Sequence, residues 1–193
     1  NDWPHRIEIV EHSHAALAHA YEAGASRLPF AVLRGYVGTD FAAVNPEIRS
    51  VTCPFTGEEL AAVPAINPDI TFIHALKADC AGNVLIEGIT GVQKEAVLAA
   101  GKAVVTVEET VDSLDPHPNA LVLPHWVVTA IAEVPGGAHP SYAHGYYPRD
   151  NAAYKAWDAI AADRTKFLDW MKTHVIDVDA HIFAARVAKL TDG

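Results

Sequence analysis

Gly88-Ile89-Thr90-Gly91-Val92-Gln93-Lys94-Glu95-Ala96-Val97-Leu98-Ala99-Ala100-Gly101-Lys102-Ala103-Val104-Val105-Thr106-Val107-Glu108-Glu109 is the stretch that decides the fold. It reads as loop, helix, turn, buried strand, then two carboxylates. Gly88 and Gly91 give a flexible entry. Gln93 to Ala100 is a run of good helix formers, and Gly101 stands where a left-handed residue closes a helix. Ala103 to Val107 is apolar and β-branched, a pattern expected of a strand covered on both faces. Such a strand lies inside a sheet, so the flanking chain has to build that sheet and its covering layers.

Working outward toward the N-terminus, Arg6 to Glu11 alternates apolar and polar residues and predicts a strand. Ser13 is placed to cap a helix from His14 to about Ala23, ended by Gly24. Leu17, Ala20, Tyr21 and Gly24 share one face, which predicts packing on a sheet. Leu28 to Leu33 is a short apolar segment, and Arg34 to Asp40 is a glycine-containing loop. Ile48 to Thr52 and Leu60 to Val63 flank the turn Pro54-Phe55-Thr56-Gly57-Glu58 and predict a pair of strands. Ile70 to Ala75 is a second very apolar strand, followed by a turn at Asp79 to Asn83 and a short strand at Val84 to Ile86.

Toward the C-terminus, Leu121 to Pro124 and Trp126 to Val134 are strand-like. The loop Pro135-Gly136-Gly137-Ala138-His139-Pro140-Ser141-Tyr142 then changes the character of the chain. Helical patterns follow at Ala152 to Ala161, Asp163 to His174 and Asp179 to Leu190. Trp157, Ile160, Phe167, Leu168, Trp170, Met171, Ile182, Phe183 and Val187 recur at helical spacing and read as core contacts. The fold class is α/β: an open mixed or parallel sheet with covering helices and a C-terminal helical extension. One domain accommodates the 193 residues, with an α/β part over 1–150 and its helical extension over 151–193.

Composition excludes several functions. Half of the residues are hydrophobic, and 24 acids against 14 bases give a formal charge of −10. Nucleic-acid binding needs a clustered basic face, and none is visible, so no nucleic-acid partner is expected. The apolar runs stop at about six to ten residues, far short of the ~20 that span a bilayer, so no membrane is expected either. The start, Asn1-Asp2-Trp3-Pro4-His5, has neither the basic nor the apolar region of a signal peptide. Cys53 and Cys80 form no CxxC pattern; they read as free thiols of a cytoplasmic protein, with a disulfide as the undemanded alternative. No dinucleotide, P-loop or nucleophile-elbow motif is present. The eleven histidines cluster only at His12, His14 and His19, a spacing unsuited to one helix face, and no metal is expected.

Three polar groups sit at the ends of apolar segments, where α/β proteins place their sites. In Glu11-His12-Ser13-His14, Ser13 is either a plain helix cap or a ligand contact. His14, in the first helical turn, can donate to an acyl oxygen or meet an anion. Arg34 with Gly38, Thr39 and Asp40 is either a surface loop with an Arg–Asp pair or a clamp for a substrate carboxylate. Gly136-Gly137-Ala138-His139-Pro140-Ser141-Tyr142 is either a turn into the helical tail or a loop whose glycines let backbone approach a ligand. Glu108 and Glu109 invite a nucleophile or acid–base role. Adjacent strand residues face opposite ways, so they cannot act as a dyad, and ending the strand is the plainer reading.

Cys53-Pro54-Phe55-Thr56-Gly57-Glu58, Val63-Pro64-Ala65-Ile66-Asn67-Pro68-Asp69, His74-Ala75 through Ala78-Asp79 to Gly82-Asn83, Gly91-Val92-Gln93-Lys94-Glu95 and Val105-Thr106-Val107-Glu108-Glu109 occur in that order. With Gly137-Ala138-His139-Pro140-Ser141-Tyr142, Gly145-Tyr146-Tyr147-Pro148-Arg149-Asp150-Asn151, Ser13-His14, Leu28-Pro29-Phe30 and Gly38-Thr39-Asp40, they resemble the α subunit of a family I coenzyme A transferase of the glutaconate type. The resemblance implies an open α/β fold and a partner β subunit, in an assembly such as α2β2. It implies CoA movement between carboxylic acids, with acyl-CoA thioester and carboxylic acid as substrates and no permanently bound cofactor. The nucleophilic glutamate is then expected on the β subunit, so the catalytic residues of this chain are left unassigned, with Glu11 and His14 as its own candidates. Ser13, His14, Arg34, Gly38, Thr39, Gly137, His139 and Ser141 are expected to line the acyl or carboxylate side of the site.

Two departures from the family pattern stand out. Its glycine-rich N-terminal α segment has no counterpart here, so the chain reads as the latter part of a larger subunit whose first segment is cut away or supplied separately. Relatives that open steroid-derived rings hydrolytically carry a glutamate near the Ser13-His14 position, where this chain has His14. That favours a transferase over an acyl-CoA or ring-opening hydrolase on the same scaffold. A non-catalytic structural subunit is the remaining alternative.

Overall fold

The computed structural model describes residues 8–191, with backbone alone at 180, 184, 187, 188, 190 and 191. Two compact units divide the chain. The first comprises the chain up to Thr71 together with Gly91–Lys102; the second comprises Phe72–Thr90 and the chain from Ala103 onward.

In the first unit, α1 (His14–Ala25) begins at Ser13, whose Oγ accepts from the Ala16 N–H at 3.1 Å. That bond satisfies one of the donors a helix start leaves free. The strands β1 (Phe30–Leu33), β2 (Arg49–Thr52) and β3 (Glu59–Pro64) form an antiparallel sheet in the order β1-β3-β2, and a one-turn α2 (Phe41–Val44) lies between β1 and β2 in sequence. Ala16 and Ala20 of α1 share a core with Tyr36, Ile48, Ala61 and Val63, so the small face of α1 packs on the sheet as expected. Leu17 and Tyr21 are only half-buried; the fully buried stripe is Ala16, Ala20, Ala23 and Gly24.

Gly24 does not end α1. It lies inside the helix, where a Cβ would stand 2.1 Å from the Ile66 carbonyl oxygen, so glycine is there for close approach. The left-handed closing residue is Arg27, at φ 58°. Leu28 N–H bonds to Ala23 O and Arg27 N–H to Gly24 O, the paired bonds of a Schellman end. The strand expected at Arg6 to Glu11 is also revised. Arg6 and Ile7 lie outside the described residues, while residues 8–11 join neither sheet and leave Ile9 80% exposed. An alternating segment becomes a strand only where a ladder receives its backbone.

In the second unit, β4 (Ile70–Asp79, entering from the first unit), β5 (Val84–Ile86), β6 (Lys102–Val111), β7 (Leu121–Leu123) and β8 (Ala130–Glu133) form a sheet in the order β7-β5-β4-β6-β8. β5 pairs antiparallel with β4 and β7, and β6 pairs parallel with β8, so the sheet is mixed. Val105 and Val107 of β6 are 0% exposed, each burial contributing roughly 1.5–3 kcal/mol. The strand does not end at Glu108 and Glu109; both lie within it, two residues short of Val111. α3 (Gln93–Ala99) belongs to the first unit and packs on α1. Gly101 is not left-handed: its N–H donates to Pro68 O at 2.8 Å, and a Cβ there would stand 3.1 Å from Asp69 O.

Trp126 to Val134 is not one strand. After Pro124 a 3-10 turn occupies His125–Val127, leaving Trp126 72% exposed, and β8 starts only at Ala130. The tail forms α4 (Asn151–Ala161), α5 (Arg164–Met171), a π turn (Lys172–Ile176) and α6 (Ala180–Thr191). Its apolar stripe is not a closed core. Trp157 meets Phe167 and Trp170 edge-on, at 6.3 and 4.8 Å between centroids, yet α4 and α5 have no buried residue and Leu168 is 53% exposed. Two helices pressed together cover one side of each ring and leave the other open. Phe183 does reach the Leu76, Ala143 and Tyr147 core; the side chain of Val187 lies outside the described residues. No helix of the described residues is long and apolar enough to cross a membrane.

Candidate functional site

Sequence-predicted residues fall in both units. In the first unit, Ser13, Arg34 and Thr39 line one cavity of about 480 Å³ together with His19, Tyr36 and Phe41. Tyr36 organises it. Its ring is buried and stacks on Phe41 at 5.0 Å, its hydroxyl accepts from the Ser13 N–H, and its carbonyl accepts from the Thr39 hydroxyl at 3.0 Å. The start of α1 and the loop after β1 are therefore tied through one side chain. His19 lies one turn further along α1, with Nδ1 2.7 Å from Ala15 O. His14 opens the helix and is exposed; Gly38, at φ 75°, takes a loop conformation that glycine adopts without strain. Neither lines the cavity. Glu11 is exposed, and its carbonyl accepts from the buried Asn45 amide at 2.8 Å.

Arg34 does not pair with Asp40. Its Nε and Nη2 donate to Glu58 Oε1 and Oε2 at 2.7 and 2.8 Å. That two-pronged contact holds the Glu58 carboxyl below its usual range and raises Arg34 further. Cys53, in the same turn, has its thiol pKa lowered by hydrogen bonds from Thr56 and the turn backbone.

In the second unit, the loop carrying Gly137, His139 and Ser141 is tied down at several points. Gly136 N–H donates to Glu108 Oε2 at 2.7 Å, and Ala138 N–H donates to the Tyr147 hydroxyl at 3.0 Å. His139 Nε2 lies 3.1 Å from Asp150 Oδ2, while Asp150 Oδ1 accepts from Ala153 N–H and caps α4. These bonds hold the Asp150 carboxyl below its ordinary value, the Ala153 amide acting most strongly. Ser141 N–H donates to Ala138 O at 2.8 Å, and Ser141 is half-buried.

Glu108 is the feature that sequence reasoning missed. It is 5% exposed and accepts from Tyr147 and Gly136, with His74 Nε2 at 2.7 Å. Burial and this carboxylate raise the Tyr147 phenol well above its usual range. Beside it, the exposed Glu109 accepts from Tyr146 at 2.8 Å and pairs with Lys77 at 3.0 Å, which lowers its carboxyl pKa. A glutamate inside an otherwise apolar strand was the available signal; its partners lie 28 to 39 residues away in sequence. Among the described residues, no group of three or more His, Cys, Asp or Glu is placed to hold a metal ion.

Comparison with known proteins adds to this geometry. Residues 5–134 match the model of the coenzyme A transferase family. The chain is 58% identical over 188 residues to the α subunit of 3-oxoadipate CoA-transferase from Pseudomonas knackmussii, covering 97% of this chain and 67% of that protein. It is 30% identical over 192 residues to the cholesterol ring-cleaving hydrolase IpdA subunit of Mycobacterium tuberculosis, covering 93% of this chain and 65% of that one. The crystal structure of glutaconate coenzyme A-transferase from Acidaminococcus fermentans superposes with a TM-score of 0.82 at 26% identity, over 91% of this chain and 62% of the other. The chain thus spans about two thirds of the length of these relatives.

Proposed function

Because this chain belongs to the coenzyme A transferase family, we propose that it forms the α-subunit portion of a two-subunit CoA transferase acting in the cytoplasm on carboxylic acids and their CoA thioesters. The observation that carries this reading is the 58% identity, across nearly the whole chain, to the corresponding subunit of a 3-oxoadipate CoA-transferase. That acid is the first acceptor to test here.

The chemistry needs a carboxylate nucleophile, which the partner β subunit supplies. Its oxygen attacks the thioester carbonyl, the C–S bond breaks, and CoA leaves as thiolate from an acyl-glutamyl anhydride. The thiolate then attacks the glutamyl carbonyl, the donor acid leaves, and a glutamyl-CoA thioester remains. The acceptor acid reverses these steps, so one difficult transfer becomes two easier ones. No permanently bound cofactor takes part.

This chain's residues bind and orient. In the first unit, Ser13, Arg34 and Thr39, held by Tyr36, present polar groups to a cavity large enough for a short acid, with His14 and Gly38 on the adjoining helix start and loop. Arg34 is already gripped by Glu58, so an incoming carboxylate meets the outer edge of the guanidinium or displaces Glu58. In the second unit, the Ser141 hydroxyl and the His139 ring, oriented by Asp150, are the loop's polar groups for an acyl oxygen, and Gly137 leaves room for close approach.

The test is an assay of this chain, within its full subunit, co-expressed with the β partner. Given acyl-CoA and free 3-oxoadipate, the complex should return CoA as the acceptor's thioester. Release of CoA only as free thiol, whatever acceptor is offered, would mean hydrolysis and would sink the transferase reading.

A further inference from the structure

Glu108 holds three consecutive loop residues, directly or through its neighbours. Its carboxylate accepts from the Gly136 N–H at 2.7 Å. The Tyr147 hydroxyl that donates to Glu108 also accepts from the Ala138 N–H at 3.0 Å. His74, 2.7 Å from the same carboxylate, stands against Gly137, where a Cβ would lie 2.6 Å from both its Nδ1 and Cε1. Its other nitrogen is fixed by Thr106 Oγ1 at 2.8 Å. The side chains of His74 and Glu108 are 14% and 3% exposed, so water competes little for these bonds.

Burying a carboxylate in a strand of valines is unfavourable unless its oxygens are satisfied, and a well-packed apolar residue would stabilise the sheet at least as well. What the carboxylate provides, and an apolar residue cannot, is a fixed acceptor for the loop's backbone. We propose that Glu108 is a positioning residue that, through His74 and Tyr147, fixes the Gly136–Ser141 loop for substrate. The inference rests on the reading that Gly137, His139 and Ser141 of this loop contact substrate. Displacements of about 1 Å at such contacts can cost on the order of 100-fold in rate.

Two conservative variants test it in the assembled complex: Glu108→Gln, which replaces one acceptor oxygen by an amide nitrogen, and Tyr147→Phe, which removes the link to Ala138 at constant volume. Each is followed by amide hydrogen exchange at residues 136–141 and by kcat/KM for CoA transfer. In at least one variant that remains folded, exchange at Gly136 and Ala138 should rise about tenfold or more while β6 stays protected, and kcat/KM should fall about tenfold or more. Faster loop exchange with kcat/KM within twofold of wild type would overturn the proposal, because the loop's order would not matter. A fall in kcat/KM with unchanged loop exchange would overturn it too, because Glu108 would then act by another route. If the wild-type complex transfers no CoA, the functional reading fails, and the exchange measurement still decides whether Glu108 orders the loop.

Discussion

Arg34 and Glu58 form a two-pronged ion pair, Nε to Oε1 at 2.7 Å and Nη2 to Oε2 at 2.8 Å, at the rim of a cavity proposed to receive a carboxylate. Glu58 thus does to Arg34 what a substrate acid would do. It keeps the guanidinium edge pointed along the turn after β2 and competes with an incoming anion.

Opposite kinetic effects are expected from the two partners. Arg34→Ala should raise the KM for the acid acceptor by about tenfold, the loss of one charge-assisted contact. Glu58→Gln should lower that KM, because Arg34 is released to the substrate. Neither change should move the melting temperature much, since exposed ion pairs contribute little to stability. Steady-state kinetics at varied acceptor concentration check both; a KM unchanged in Arg34→Ala would remove Arg34 from the substrate site.

Close packing at α1 leads to a stability prediction. A methyl group at Gly24 would stand 2.1 Å from the Ile66 carbonyl oxygen and 3.1 Å from the Ala99 Cβ. The helix would have to move off its neighbours, so Gly24→Ala should destabilise the protein by about 1–3 kcal/mol, despite alanine's better helix propensity. Denaturant unfolding measures this; a stabilised Gly24→Ala would mean that the helix terminates at Gly24 after all.

Acid sensitivity should trace in part to Asp150. Its carboxyl is held below its ordinary value of 3.8, first by the Ala153 N–H and then by His139. A depressed folded-state pKa stabilises the fold above the unfolded value and loses that share as pH falls through the folded one. The Asp150 contribution is therefore complete above about 3.8 and disappears below it. Asp150→Asn retains a cap for α4 but not the titration. Its melting temperature should fall less steeply than wild type between pH 4 and about pH 2. Parallel acid melting curves would rule out this contribution.

The fold was legible where its cause is local. Ser13 caps α1 because a serine ahead of an alanine-rich run does so in almost any context. The antiparallel β2–β3 pair follows from two apolar runs about the turn at Gly57. Gly24 and Gly101 were misread because glycine has two uses, and only tertiary structure separates a left-handed turn from close approach of a distant carbonyl. Residues 8–11 failed as a strand for a similar reason, since alternation shows which side chains share a face but not whether a neighbour exists. The Glu108 network was illegible because His74 and Tyr147 are 34 and 39 residues away from it, beyond the reach of any periodicity. The loop that this network holds was legible, since its glycines, His139 and Ser141 are close together in the chain.

The most direct measurement concerns where the reacting glutamate lies. The complex is incubated with acyl-CoA without acceptor, quenched in acid, digested and examined by mass spectrometry for a CoA thioester. The adduct is expected on a glutamate of the β subunit, with none on Glu11, Glu108 or Glu109. A CoA adduct on a glutamate of this chain, or a complex that turns over acyl-CoA with no adduct on either chain, would contradict an α-subunit role in transfer through the partner's glutamate.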